Sequence, residues 1–224
     1  MEGVVSINGR DFRYRVVRNS VKHAYIKLKR DLQIEVVVPK KVNGLDVENL
    51  ILEKKDWIEK KAEEIERSLR IYKDGKVLFK GKEYEVVFER GERDKVLQKG
   101  SKFVVQYSDG DPVEILLDWL KERAKKELVR EVESWSKKLG IEPNNVRIKE
   151  MKTRWGSCTK KWNVSINWQV IVLPKRLRDY VIVHELIHLS ELNHSKRFWA
   201  RLAEVFPDYQ ELRRELKKYA IMGL

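Results

Sequence analysis

Three of the chain's four histidines, His184, His188 and His194, lie within eleven residues. Residues four apart on a helix share a face, about 6 Å apart along the axis, so one metal ion can take both His184 and His188. Glu185 sits beside the first of them, where its carboxylate reaches a water on the metal rather than the metal itself. The spacing H-E-x-x-H is that of zinc hydrolases, in which the histidines bind and the glutamate acts as general base. A five-residue pattern with two free positions also arises by chance, so its setting carries weight. Val181, Ile182, Val183, Leu186, Ile187, Leu189 and Leu192 make the segment apolar nearly all round, which predicts a buried helix. Buried polar side chains need partners. A hydrogen-bonded pair of core histidines is the plain alternative, and ligand spacing beside a glutamate weighs against it.

A zinc site needs a third protein ligand, and Glu191 and His194 are the candidates. Glu191 falls on the stripe of His184 and His188, but on a straight helix it lies about 7 Å beyond their midpoint. His194 lies farther still, so it ligates only if the helix stops and the chain turns back. Asn193 tolerates the left-handed conformation that ends helices, and Ser195 is a good cap for a new one. His194 is therefore the expected ligand, with Glu191 beside the site or in solvent.

With Asn193-His194-Ser195, Phe198-Trp199 and the upstream Arg154-Trp155-Gly156-Ser157-Cys158, this segment closely resembles the YgjP-like metallopeptidase-domain family. That family is related to SprT-type zincins and is often described as metal-dependent hydrolases. The match is specific from Thr153 to Tyr219, and its element order extends over the whole chain. The resemblance implies a zinc site at His184, His188 and His194, with Glu185 catalytic; another divalent metal would suit the same donors. The ligand spacing is also similar to that of metzincins, but Glu191 stands where they carry a turn glycine, which argues against that class.

The elements that must position these residues point to an α+β fold. An N-terminal β-rich region with one helix is expected over 1–110, followed by a zincin-like core of antiparallel strands and helices over 111–224. Asn8-Gly9 marks a hairpin between alternating strands, and Pro39 closes the strand region. Asp46 caps a helix running to about residue 70. Strands are expected at Val77–Phe79, Tyr84–Phe88 and Phe103–Tyr107. Asp111-Pro112 then opens a long helix stopped by Gly140 and Pro143. Val146–Met151 and Trp162–Trp168 read as an antiparallel pair. The second is the candidate edge strand for holding an extended substrate by backbone pairing. Pro174 opens the metal helix, Ser195 the next and Asp208 the last.

The formal net charge is +13, from 48 basic and 35 acidic side chains. Such a charge favours polyanions, nucleic acid among them, while a Lys/Arg/Glu-rich ion-pair surface explains it equally well. Cys158 is the only cysteine, which excludes an intrachain disulfide. No signal-peptide pattern and no membrane span are evident, so a cytoplasmic location is expected.

Arg154 has two readings: it stabilises an oxyanion or grips a substrate carboxylate or phosphate, or it pairs structurally with a carboxylate. Cys158 reads as a small buried residue rather than a fourth ligand or reactive thiol. Ser157 lacks a histidine to activate it. The expected activity is a metallopeptidase using Glu185 and a metal-bound water, on a peptide substrate. The alternatives are a nucleoside-triphosphate (UTP-type) pyrophosphohydrolase, which the resemblance also implies, and a nucleic-acid-associated module with structural zinc.

Overall fold

A computed structural model describes residues 2–29, 31–40 and 46–219, with all their side chains except those of residues 64 and 67–70. The chain is α+β and divides into two compact units, Met1–Arg70 and Ile71–Leu224.

The first unit contains strands β1 (Glu2–Ile7), β2 (Arg10–Asn19), β3 (Tyr25–Leu28) and β4 (Ile34–Pro39), ordered β1-β2-β4-β3. Asn8 and Gly9 both take positive φ (49° and 82°), the two-residue turn whose twist suits the β1–β2 hairpin. Helices α1 (Val47–Glu53) and α2 (Lys55–Ile71) stand where one helix was expected; Lys54 interrupts them. Asp46 caps α1 by accepting from the Asn49 amide at 3.0 Å. Phe12, Ile34, Val36, Ile51, Ile58 and Ala62 form the core of this unit, all at most 2 % exposed.

The second unit opens with β5 (Tyr72–Lys73), β6 (Lys76–Phe79), β7 (Lys82–Arg90), β8 (Lys95–Lys99) and β9 (Lys102–Tyr107), ordered β5-β6-β7-β9-β8. β8 falls in the polar stretch that sequence patterning leaves as loop. Two of its side chains are partly covered and three are exposed, so it carries little apolar signal. Helix α3 (Pro112–Leu139) starts at the Asp111 cap and ends at Gly140, which takes the left-handed conformation. Its buried stripe, Val113, Leu116, Leu120, Leu128 and Val132, shares one core with Val77, Phe79, Phe103 and Val105 of the preceding sheet. By packing, then, the chain divides at Arg70–Ile71, earlier than the 110/111 boundary read from the sequence.

A second, smaller sheet contains β10 (Asn145–Lys149), β11 (Gly156–Cys158) and β12 (Asn163–Asn167), ordered β10-β12-β11. β10 and β12 run parallel, not antiparallel as expected. The segment between them carries its own strand, β11, which takes the antiparallel place beside β12. β12 is therefore central and cannot offer a free edge; β11 is an edge strand instead. A 3-10 turn (Trp168–Val172) leads into α4 (Lys175–Ile187), then α5 (Lys196–Val205) and α6 (Tyr209–Lys218).

Candidate metal centre and its cleft

Helix α4 is fixed in the core by buried ionic contacts. Arg178, whose side chain is 5 % exposed, donates through Nε and Nη2 to the Glu131 carboxylate of α3 (3.2 and 3.0 Å) and through Nη1 to the Leu173 carbonyl (3.0 Å). Asp179 accepts from the Trp135 indole N–H of α3 and from Lys175, each at 2.9 Å. These contacts set the rotation of α4, and hence the direction in which His184 and Glu185 point.

The helix stops earlier than expected. Ile187 is its last residue and His188 its C-cap, after which Leu189, Ser190 and Glu191 donate back to the carbonyls of Leu186 and Ile187. Asn193 is not in the left-handed region. The turn of residues 188–191 does the work assigned to Asn193, because backbone bonds to the last carbonyls already satisfy that end. Ser195 then caps α5, accepting from the Phe198 amide at 3.3 Å.

The reversal brings His194 back to the other two histidines. The three Nε2 atoms stand 3.2 Å (His184–His188), 3.2 Å (His188–His194) and 3.0 Å (His184–His194) apart. Phe198, fully buried, packs against all three rings, stacking on His188 at 4.4 Å, and Trp199 stacks on His194 at 5.3 Å. Phe198 and Trp199 belong to the helix that Ser195 opens, and the apolar face of α5 turns them to the histidines.

These nitrogens fit a metal ion. His188 Nδ1 lies 2.9 Å from the Glu191 carbonyl, which can only accept, so the proton sits on Nδ1 and the Nε2 lone pair faces its neighbours. Glu191 thus serves through its main chain, not its carboxylate. Tetrahedral zinc with Zn–N of about 2.0–2.1 Å spaces its ligands by about 3.3 Å, close to the distances found. Protons can bridge only part of such a triangle, whereas a divalent ion takes three lone pairs at once. Burial first, then His188, His194 and Arg213, holds His184 down to about 3, and similar causes lower His194. Both are neutral at physiological pH, the form that ligates. Among the described residues the group holds three donors, and neither Cys158 nor Glu191 joins it.

Glu185 is 8 % exposed, and burial raises its carboxyl to about 8, opposed by the charge of Arg154. A cation bound beside it would act in the same sense as Arg154. Gly156 of β11 lies directly against it: a Cβ there would come within 2.6 Å of Glu185 Cδ and 2.7 Å of Oε1. Arg154 is exposed at the cleft, and its charge reaches the Glu185 carboxylate. Its loop is held by Asn167, fully buried, whose Nδ2 donates to the carbonyls of Met151 (3.0 Å) and Arg154 (3.2 Å). Neither Gly156 nor Asn167 was foreseen in these positions. Cys158 is partly buried, and burial followed by the nearby Glu185 charge pushes its thiol up, away from reactive thiolate.

His184, Glu185 and His194 open onto a cleft of about 510 Å³ that Arg154, Gly156, Tyr180, Trp199, Arg213 and Lys217 also line. His23, the fourth histidine, is exposed in the first unit. No helix among the described residues is long and apolar enough to cross a membrane.

The YgjP-like, metallopeptidase domain family matches residues 22–219 of this chain. Among solved structures, the metallopeptidase zymogen of Methanocaldococcus jannaschii jannalysin is similar at 28 % identity and a TM-score of 0.39, over 42 % of this chain and 98 % of that one. The metallopeptidase zymogen of Pyrococcus abyssi abylysin is similar at 26 % identity and a TM-score of 0.37, over 41 % and 93 %. No curated protein matches the chain.

Proposed function

The chain belongs to the YgjP-like metallopeptidase-domain family, a family that implies a divalent metal, and from this premise we propose that it is a zinc-dependent peptidase. The observation that carries the reading is the convergence of three Nε2 atoms within 3.0–3.2 Å of one another beside a buried glutamate at a cleft. His184, His188 and His194 would hold the ion. Zinc bound there supplies Lewis acidity, lowering the pKa of a water and polarising the scissile carbonyl.

The remaining roles belong to the chain's own side chains. Glu185 takes the proton of the attacking water on its carboxylate and returns it to the leaving nitrogen. Gly156 lets the β11 backbone come close enough to hold that carboxylate in place. Arg154 offers a planar donor to the developing oxyanion. β11, an edge strand beside Glu185, can pair with an extended peptide backbone, the part first assigned to β12.

A second reading is a nucleoside-triphosphate pyrophosphohydrolase, favoured by the cationic side chains Arg154, Arg213 and Lys217 in the cleft. A purely structural zinc site is disfavoured, because such sites are closed by four protein ligands and this group has three. Zinc-loaded protein incubated with unfolded protein, and separately with UTP, decides between the first two by new amino termini or by pyrophosphate. Glu185→Gln should retain zinc and lose turnover; full activity in that variant would remove the general-base role.

A further inference from the structure

The cleft carries more positive charge than the proposed chemistry uses. Glu185 and Arg154 have roles above, but Arg213 and Lys217 of α6 also line it and neither is assigned one. Four residues apart, they share one face of the helix, with Leu216 beside them at the cleft wall. Arg213 lies 5.6 Å from the centre of the Trp199 ring, and Trp199 stacks with both His194 (5.3 Å) and Tyr209 (5.1 Å). The ring contact keeps the guanidinium close enough to the third histidine for its charge to be felt there. Three other arginines of α4 and α6 have carboxylate partners: Arg176 with Asp208, Arg178 with Glu131, Arg214 with Glu211. Arg213 and Lys217 form no ion pair among the described residues. A guanidinium held at an aromatic ring without a carboxylate partner, with an ammonium one turn away, suits a carboxylate ligand.

Resting on the peptidase reading, we infer that Arg213 and Lys217 bind a substrate carboxylate next to the scissile bond, so that the cleft selects acidic peptides. The carboxylate comes either from an aspartate or glutamate side chain or from a free C-terminus. Arg213 supplies the directed contact and Lys217 the added charge. Selectivity of this kind weakens with salt, since both side chains reach solvent.

The test is binding to the zinc-loaded full-length Glu185→Gln variant, which holds substrate without turning it over. Three peptides of one core sequence are titrated: one with flanking glutamates and an amidated C-terminus, one neutral with a free C-terminus, and one neutral and amidated. Calorimetry reports binding. An acidic or free-carboxylate peptide should bind roughly three- to tenfold tighter than the neutral amide. Whichever of the first two binds tighter identifies the source. Adding Arg213→Gln should remove the difference, Arg213→Glu should invert it toward a lysine-flanked peptide, and Arg214→Gln, off the cleft, should leave it intact. Equal binding of all three peptides, or a preference that survives Arg213→Glu, overturns the carboxylate site. Cleavage by the unmodified protein is scored separately. Peptides cut without acidic preference would sink this inference and leave the peptidase reading standing. Arg213-dependent binding with no peptide cut would keep the carboxylate site but sink the peptidase reading and, with it, the site's place beside a scissile bond.

Discussion

Replacing Gly156 by alanine tests how tightly Glu185, the proposed general base, is held. The added Cβ would lie 2.6 Å from Glu185 Cδ and 2.7 Å from Oε1, where non-bonded carbon atoms normally settle at about 3.5–4.0 Å. Either the Glu185 carboxylate or the β11 backbone must therefore move by about 1 Å. β11 is hydrogen-bonded to β12, and Glu185 is buried at 8 % exposure, so neither moves without loss. Overpacking of this kind destabilises by about 1–3 kcal/mol. A misplacement of about 1 Å in a catalytic group slows turnover about a hundredfold, or about 2.7 kcal/mol in the barrier. The three imidazoles are untouched, so zinc content should stay at the unmodified level by elemental analysis while peptide turnover falls. A stability cycle gives a readout independent of activity. Gly156→Ala should cost clearly less in a Glu185→Ala background, where the side chain it strikes is gone, than in the unmodified protein. Additive stability losses in the cycle, or unimpaired turnover by Gly156→Ala, would refute the contact as the element that places the base.

His194→Ala should lose most of its bound zinc yet keep its fold, because that residue is exposed and reaches the others from a turn; elemental analysis and circular dichroism check both halves. Chelation followed by zinc return should lower and then restore the melting temperature, by about 2.7 kcal/mol of stability at a hundredfold excess over Kd. In the metal-free protein, Glu185 keeps its proton up to about pH 8, whereas the unfolded chain loses it near 4.5. The unfolded state then binds fewer protons across that window, so stability falls as pH rises. His184, held down to about 3, acts oppositely below 6.5. Denaturation between pH 6.5 and 8 should show the decline in the unmodified protein and a flatter profile in Glu185→Gln; equal slopes would remove the burial effect. Arg178→Ala strands the Glu131 carboxylate and should cost about 3 kcal/mol in a denaturant titration.

The histidine cluster was legible in the sequence because its information is local. His184 and His188 need only helical spacing, and His194 needs only a helix that stops, with Ser195 ready to start the next. The hairpin at Asn8-Gly9, the Asp111-Pro112 start and the Gly140 stop are local too: each is dictated by the φ or capping needs of one or two residues. Pairing partners were not legible. Alternation along β10 and β12 shows which side chains face the core, but not that β11 would take the antiparallel place and turn β12 into a central strand. The boundary between units depended likewise on where the sheet β5–β9 found its apolar cover, on α3 rather than on the strands before it. Gly156 against Glu185, Asn167 beneath the Arg154 loop and Arg213 over Trp199 join residues far apart in the chain, and only folding brings them together. Periodicity and capping act within a few residues, so a sequence can mark the three histidines that converge. Which neighbours hold the base, the loop and the cleft charge is settled by side-chain volumes packing across elements, and that is tertiary.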